Sequence, residues 1–316
     1  MTLPLVSVVV ETITARDHPM TVSLADDLGG ALAALGRQTY PRDLIETIVV
    51  LDSQVDAPMA DEVRRRYPAV KLGYASEHNY FAAKNAGAMM ASGSIVALLD
   101  ADCEPVPDWL HALVAGFQPD VAAVAGRTSY AGASLFSRTF SVPDFANVLE
   151  DGSGTASGIN LNNVAFRRHV LLAHAFETRI RRDGGCYLLF HQLRAAGARI
   201  VYEPRAVVAH ALDIRGLGVV RKHFDRGYDG ASVYRLDDRG VLRGTRLFRR
   251  LGGLALVGIV ARRIVVDWIR LARERRQIGI SPWALPYFGA VALGTRLIEL
   301  AGGLKAVIDA REPHER

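Results

Sequence analysis

The stretch ALLDADCEP, residues 97–105, ends an apolar run on two carboxylates one residue apart, Asp100 and Asp102. Close carboxylates repel each other and lose hydration on burial, so a pair at a strand end calls for a positive partner. A divalent cation is one answer, and a strand-end turn capped by Asp is the other. Asp52, at the end of ETIVVLD (46–52), closes a further apolar run. Lys84 interrupts the small-residue stretch AAKNAGA with a single charge.

These groups need elements to hold them. LVSVVVE (5–11), ETIVVLD (46–52), VKLGYA (70–75), SIVALLD (94–100) and VAAVAGR (121–127) read as strands. Between them lie helical patterns: Leu24, Leu28, Ala31, Leu32 and Leu35 behind the N-cap Ser23, then DEVRRRYP (61–68), FAAKNAGAMMASG (81–93), and PDWLHALVAGF with Pro107 at its first helical position. Apolar, Val- and Ile-rich strands alternating with helices predict a mainly parallel sheet with helices on both faces. Ligands of such sheets bind beyond the carboxyl ends of the strands, where Asp52, Asp100 and Asp102 fall. No GxGxxG or Walker loop follows the first strand, so a metal at Asp100 and Asp102 becomes the natural way to hold a diphosphate, and hard carboxylate oxygens suit Mg²⁺ or Mn²⁺.

The chain has 316 residues, half of them hydrophobic, which is enough for a full core and argues against wholesale disorder. Its two cysteines, Cys103 and Cys186, have no zinc-type spacing and fit a reducing compartment. The N-terminal residues lack a signal-peptide pattern, and no apolar run reaches the length of a membrane span, so a cytoplasmic location is expected. The net charge of +5 is unevenly placed, with arginines crowding the segment after residue 238.

Taken together the motifs resemble the family 2 glycosyltransferases of GT-A fold. VSVVVET, LAALGRQTYPRDLIETIVVLD, NYFAAKNAGAMMASGSIVALLDADCEPVPDWL, GINLNNVAFRR and LRAAGARIVYEPRAVVAH occur in that family's order across residues 5–235. The resemblance implies a mixed, mainly parallel sheet flanked by helices over residues 1–238, and metal-dependent, inverting sugar transfer from a UDP- or GDP-type donor. It also implies site roles: Glu11, Thr12, Asp52, Lys84 and Asp100 on the donor, and Asp102 and His210 on the Mg²⁺ or Mn²⁺. The cluster Asn160, Asn162 and Asn163, before Arg167 and Arg168, is expected on the acceptor side, with the ordering of a loop as the alternative.

One departure bears on catalysis. The family's Glu-Asp pair, whose carboxylate deprotonates the acceptor, aligns with Gly185 and Cys186. Asp183 is the nearest carboxylate and the candidate base, with Asp144, Glu150 and Asp151 as alternatives. A nucleotide-sugar-binding protein without transfer activity is the competing function, and nucleotidyl transfer is disfavoured by the missing glycine loop.

Residues 239–316 couple apolar segments, tryptophans and arginine clusters. Such helices are expected to lie along an anionic membrane surface as a peripheral, inner-face attachment, which points to a lipid-linked or polysaccharide acceptor. Packing on the core or a dimer interface is the bland alternative, and the interleaved apolar clusters speak against nucleic acid.

Overall fold

The structure, a computed structural model, describes residues 2–17, 23–129, 140, 144–145, 154–210, 217–275 and 280–310. The chain forms two compact units: residues 1–131, 148–181 and 193–212 in the first, and 132–147, 182–192 and 213–316 in the second.

The first unit is built on eight strands: β1 (Val6–Glu11), β2 (Ile45–Leu51), β3 (Lys71–Tyr74), β4 (Ile95–Asp100), β5 (Cys103–Pro105), β6 (Val121–Ser129), β7 (Val164–Arg167) and β8 (Arg199–His210). They make one sheet in the order β3-β2-β1-β4-β7-β6-β8-β5. The β3-β2-β1-β4 half is parallel, while β7 runs antiparallel to both β4 and β6, so the sheet is mixed as expected. Every residue of β1 and β4 is buried, as apolar strands covered on both faces require.

The helices of this unit are α1 (Ile13–Asp17), α2 (Leu24–Asp27), α3 (Gly29–Gly36), α4 (Ala57–Arg66), α5 (Tyr80–Met90), α6 (Trp109–Ala115) and α7 (Arg168–Ala173). Ser23 caps α2 by accepting from the Asp26 amide. Asn79 caps α5, its Oδ1 accepting from the amides of Phe81 and Ala82. Gly87 lets α5 lie directly on β1, since a Cβ there would come within 2.2 Å of Val9 Cγ1. The helix expected to start at Pro107 instead starts at Trp109. The Pro107 carbonyl accepts from the Thr39 amide and Val106 donates to the Val207 carbonyl, which holds that segment outside the helix.

The second unit is helical. Helix α8 (Gly185–Ala195) begins in it, and α9 (Leu217–Leu236), α10 (Thr245–Leu251), α11 (Gly253–Glu274) and α12 (Leu285–Asp309) complete it. Helices α9 and α12 cross so closely that a Cβ on Gly227 would fall 1.9 Å from the Glu299 carbonyl oxygen. Its interior holds ions: Arg296 donates to Asp267 at 2.7 Å and to Glu299 at 2.6 Å. Burial alone would push the Glu299 carboxyl up, but the charge on Arg296 overrides it and holds the group at about 2.

Candidate donor and metal site

The parallel register sets Glu11, the last residue of β1, beside Asp100, the last of β4. Both are buried. Two carboxylates so placed need a counter-charge, and α5 supplies it: Lys84 Nζ donates to Asp100 Oδ1 at 2.6 Å and to the Leu99 carbonyl at 2.7 Å. One helical turn earlier, the Tyr80 hydroxyl donates to the same Asp100 oxygen at 2.8 Å. Burial works to raise the Asp100 carboxyl, yet Lys84, Tyr80 and His210 together bring it below its usual value. Glu11 goes the other way. Burial first, and then the Asp100 charge, push it up to about 7, against the hydrogen bonds it accepts from the Thr14 amide and hydroxyl.

Past Asp100 the chain turns through Asp102 into β5, whose Cys103 pairs with His210 at the end of β8. Asp102 is buried and its Oδ2 has no hydrogen-bond partner among the described residues. That oxygen lies 3.6 Å from His210 Nε2. One ligand atom from each of Asp102, Cys103 and His210 falls within 4.8 Å of the others. Burial pushes the Cys103 thiol well above its ordinary value, so it stays protonated and donates to Asp102 Oδ1 at 3.5 Å. The effective donors are therefore a carboxylate oxygen and an imidazole nitrogen, a set that fits Mn²⁺ or Mg²⁺ better than a thiolate-seeking metal. The orphaned, buried Asp102 oxygen is the observation that makes the fit, because desolvating it without a partner costs free energy.

A second group lies at the end of β2. The Thr12 hydroxyl donates to the Val50 carbonyl at 3.2 Å and accepts from the Asp52 amide at 2.9 Å. Asp52 is fully buried, and its Oδ2 lies 2.9 Å from His78 Nδ1. His78 and Tyr80 were not singled out from the sequence. Tyr80 was within reach as the residue four before Lys84, on one helical face; His78, on a loop, carried no signal.

The loop before β7 reaches the same end of the sheet, because Val164 pairs with Leu98 and the strand runs antiparallel. Its asparagines divide. Asn163 accepts from Trp109 Nε1 and donates to the Ala206 carbonyl, and Asn162 accepts from Thr128, so both order the loop. Asn160 keeps a buried Nδ2 with no hydrogen-bond partner among the described residues.

Several expected site residues are placed differently. Arg167 pairs with Ile95, at the start of β4, and donates to the Val121 and Gln118 carbonyls; the Arg168 amide donates to Ser94. Both therefore lie at the sheet end opposite Asp100. Lys84, Thr12 and Glu11, expected on the donor, are fully enclosed and hold other protein groups.

In the helical unit, Asp183 Oδ1 accepts from Arg226 Nε at 3.2 Å and its amide donates to Asp229. Asp144 is gripped by Arg226 and by Lys222, the latter at 2.8 Å. Burial opposes ionisation there, but the two cations hold that carboxyl well below its ordinary range, which makes it a poor base. Burial pushes the Cys186 thiol up to about 11, so it is no thiolate at neutral pH. Glu150 and Asp151 lie outside the described residues.

The description glycosyl transferase family 2 matches residues 20–162. Over that stretch, somewhat under half of the chain, the sequence is similar to family 2 glycosyltransferase domains. Glycosyltransferase AglE from Haloferax volcanii is 31% identical over 113 residues, which are 35% of this chain and 34% of that protein, so the match spans about a third of the curated relative's length. The mannosyltransferase PcManGT from Pyrobaculum calidifontis, solved with GDP-Man and Mn²⁺, aligns with a TM-score of 0.66 at 20% identity, over 99% of this chain and 89% of that one. GalNAc-T7, solved with UDP, GalNAc and Mn²⁺, gives 0.55 at 13% identity, over 74% and 48%. These likenesses establish the GT-A fold.

Proposed function

We propose that the chain transfers a sugar, with inversion, from a nucleoside diphosphate donor of UDP or GDP type to the hydroxyl of a lipid-linked or polysaccharide acceptor. The observation that carries this reading is the unpartnered, buried Asp102 oxygen beside His210, at the strand ends of a domain similar to family 2 glycosyltransferases. Asp102 and His210 would hold a Mn²⁺ or Mg²⁺ ion. When bound, that ion neutralises charge developing on the leaving diphosphate.

The protein's own groups do the rest. Asp52 stands ready to accept from donor N–H or O–H groups, with His78 fixing its carboxylate. Lys84 and Tyr80 hold Asp100 ionised and oriented. Asn160 offers an amide donor to the acceptor side. Asp183 is the base: it takes the proton of the acceptor hydroxyl as the new glycosidic bond forms and the bond from anomeric carbon to phosphate oxygen breaks. Its support is chemical, since Asp144 is locked by two cations and the Cys186 thiol is too weakly acidic.

A second reading, donor binding without transfer, draws on Gly185 and Cys186 standing where the family places its acidic pair. Nucleoside diphosphate release from a panel of nucleotide sugars, with Mn²⁺ and with hydroxyl acceptors, separates the two. Release by wild type, lost in Asp183→Asn while donor binding persists, supports transfer; donor binding with no release from any pair supports the second reading.

A further inference from the structure

Helices α11 and α12 carry apolar residues on their outward sides as well as their inward ones. The positions of α11 that face solvent recur every three or four residues, and they carry Leu254, Val257, Val265, Trp268 and Ile269. Leu254 is 75% exposed. The solvent side of α12 repeats the pattern with Tyr287, Leu293, Leu297 and Ile308, and Trp283 just before it is 94% exposed. The inward side buries Leu256, Val260, Leu271 and Phe288 together with ions: Asp267 and Glu299 are 4% and 3% exposed and are bound to Arg296. An ordinary water-facing helix turns polar residues outward. The two apolar faces adjoin, because the Trp268 ring lies over Gly289 of α12, within 2.7 Å of where a Cβ would stand.

The charges choose the occupant. Residues 239–310 contain four acids, Asp267, Glu274, Glu299 and Asp309, against thirteen arginines and lysines. Asp267 and Glu299 point inward, and Asp309 is tied to Lys305 and to the Tyr228 hydroxyl at 3.2 Å. The basic residues Arg246, Arg249, Arg250, Arg262 and Arg273 are exposed on α10 and α11, among the apolar positions. A second copy of this surface would bring arginines against arginines about a twofold axis. An anionic lipid leaflet offers acyl chains to the tryptophans and leucines and phosphates to the arginines. No helix among the described residues is long and apolar enough to cross a membrane, so the fitting pose is in the plane of the interface.

We infer that the outward faces of α11 and α12, with Trp283, form a docking surface for an anionic lipid bilayer. This deepens the lipid-linked acceptor of the proposed function, yet the surface works without any donor. The test uses the full chain and no nucleotide: sedimentation with phosphatidylcholine vesicles, and with vesicles in which phosphatidylglycerol replaces a third of the lipid. Wild type is expected in the pellet with the anionic vesicles only. Tryptophan emission should shift to the blue, and brominated lipid should quench it, since Trp268 and Trp283 are exposed whereas Trp109 is fully buried. Leu254→Ser/Trp283→Ser and, separately, Arg250→Gln/Arg262→Gln should each weaken binding at least tenfold while melting at the wild-type temperature.

Wild type left in the supernatant with every vesicle would overturn the inference, as would either variant binding as well as wild type. A wild-type dimer by light scattering that the Leu254/Trp283 variant dissolves, with no vesicle binding, would assign the face to a second copy. Nucleoside diphosphate titration of the same preparation reports on the donor site separately, so failure at the vesicle and failure of the transfer reading are told apart.

Discussion

Lys84 Nζ lies 2.6 Å from Asp100 Oδ1, with the ammonium wholly enclosed and the carboxylate nearly so. The pair turns a like-charge problem between Glu11 and Asp100 into a solved one, and it fixes Asp100 beside the candidate metal ligand Asp102. Breaking a buried pair from one side strands the other charge, at a cost of about 3–5 kcal/mol. Lys84→Met is therefore expected to lose about that much stability in urea unfolding. A change under about 1 kcal/mol would mean that Asp100 is hydrated rather than held by Lys84.

Glu11 makes stability depend on pH. Its folded value of about 7 lies above the unfolded 4.5, so the folded state prefers the protonated acid. Stability is then lost as pH rises from about 4.5 to 7, by about 3 kcal/mol at most. Glu11→Gln keeps an acceptor for the Thr14 amide and removes the titration. Relative to wild type, the variant should gain stability between pH 5 and 8, read by urea unfolding at both. An equal difference at the two pH values contradicts the account.

Arg226 holds both Asp144 and Asp183, so the two aspartates should respond differently to the same substitution. Asp144→Asn removes the anion between two cations and should destabilise the protein by about 3–5 kcal/mol. Asp183→Asn should change stability by less than about 1 kcal/mol, because its carboxylate is partly exposed, while lowering transfer by about 10²–10⁴-fold if it serves as the base. Thermal melts beside single-turnover rates measure both.

Neither thiol is poised to react. Cys103 is fully enclosed, and the Cys186 value of about 11 leaves roughly a hundredfold less thiolate near pH 8 than an ordinary thiol would have. Thiol reagents should label neither residue appreciably in the native protein and both after unfolding. Rapid native labelling of Cys186 would show an activated thiolate.

How far the sequence carried the reading depended on the range of the contacts. The run Ile95–Asp100 declared itself a buried strand, and the acids at its end followed from that alone. Lys84 was visible as a lone charge, but its enclosure was not, since that depends on Gly87 seating α5 on β1. Strand β5 was illegible: it is three residues long, ends in proline and pairs with β8, a hundred residues on. Arg167 and Arg168 were expected at the acceptor side because nothing local tells that β7 runs antiparallel, which carries them to the far end of the sheet. In the helical unit the mixture of arginines and apolar residues was plain, whereas which side of each helix met water emerged only from the packing.

The most direct test of the central claim is calorimetric titration of UDP and GDP into wild type and Asp102→Ala, each with and without Mn²⁺. Binding by wild type that requires Mn²⁺ and vanishes in Asp102→Ala is the predicted result. Binding that ignores the metal and is equal in both proteins would contradict the assignment of Asp102 as the ligand holding a metal–diphosphate pair.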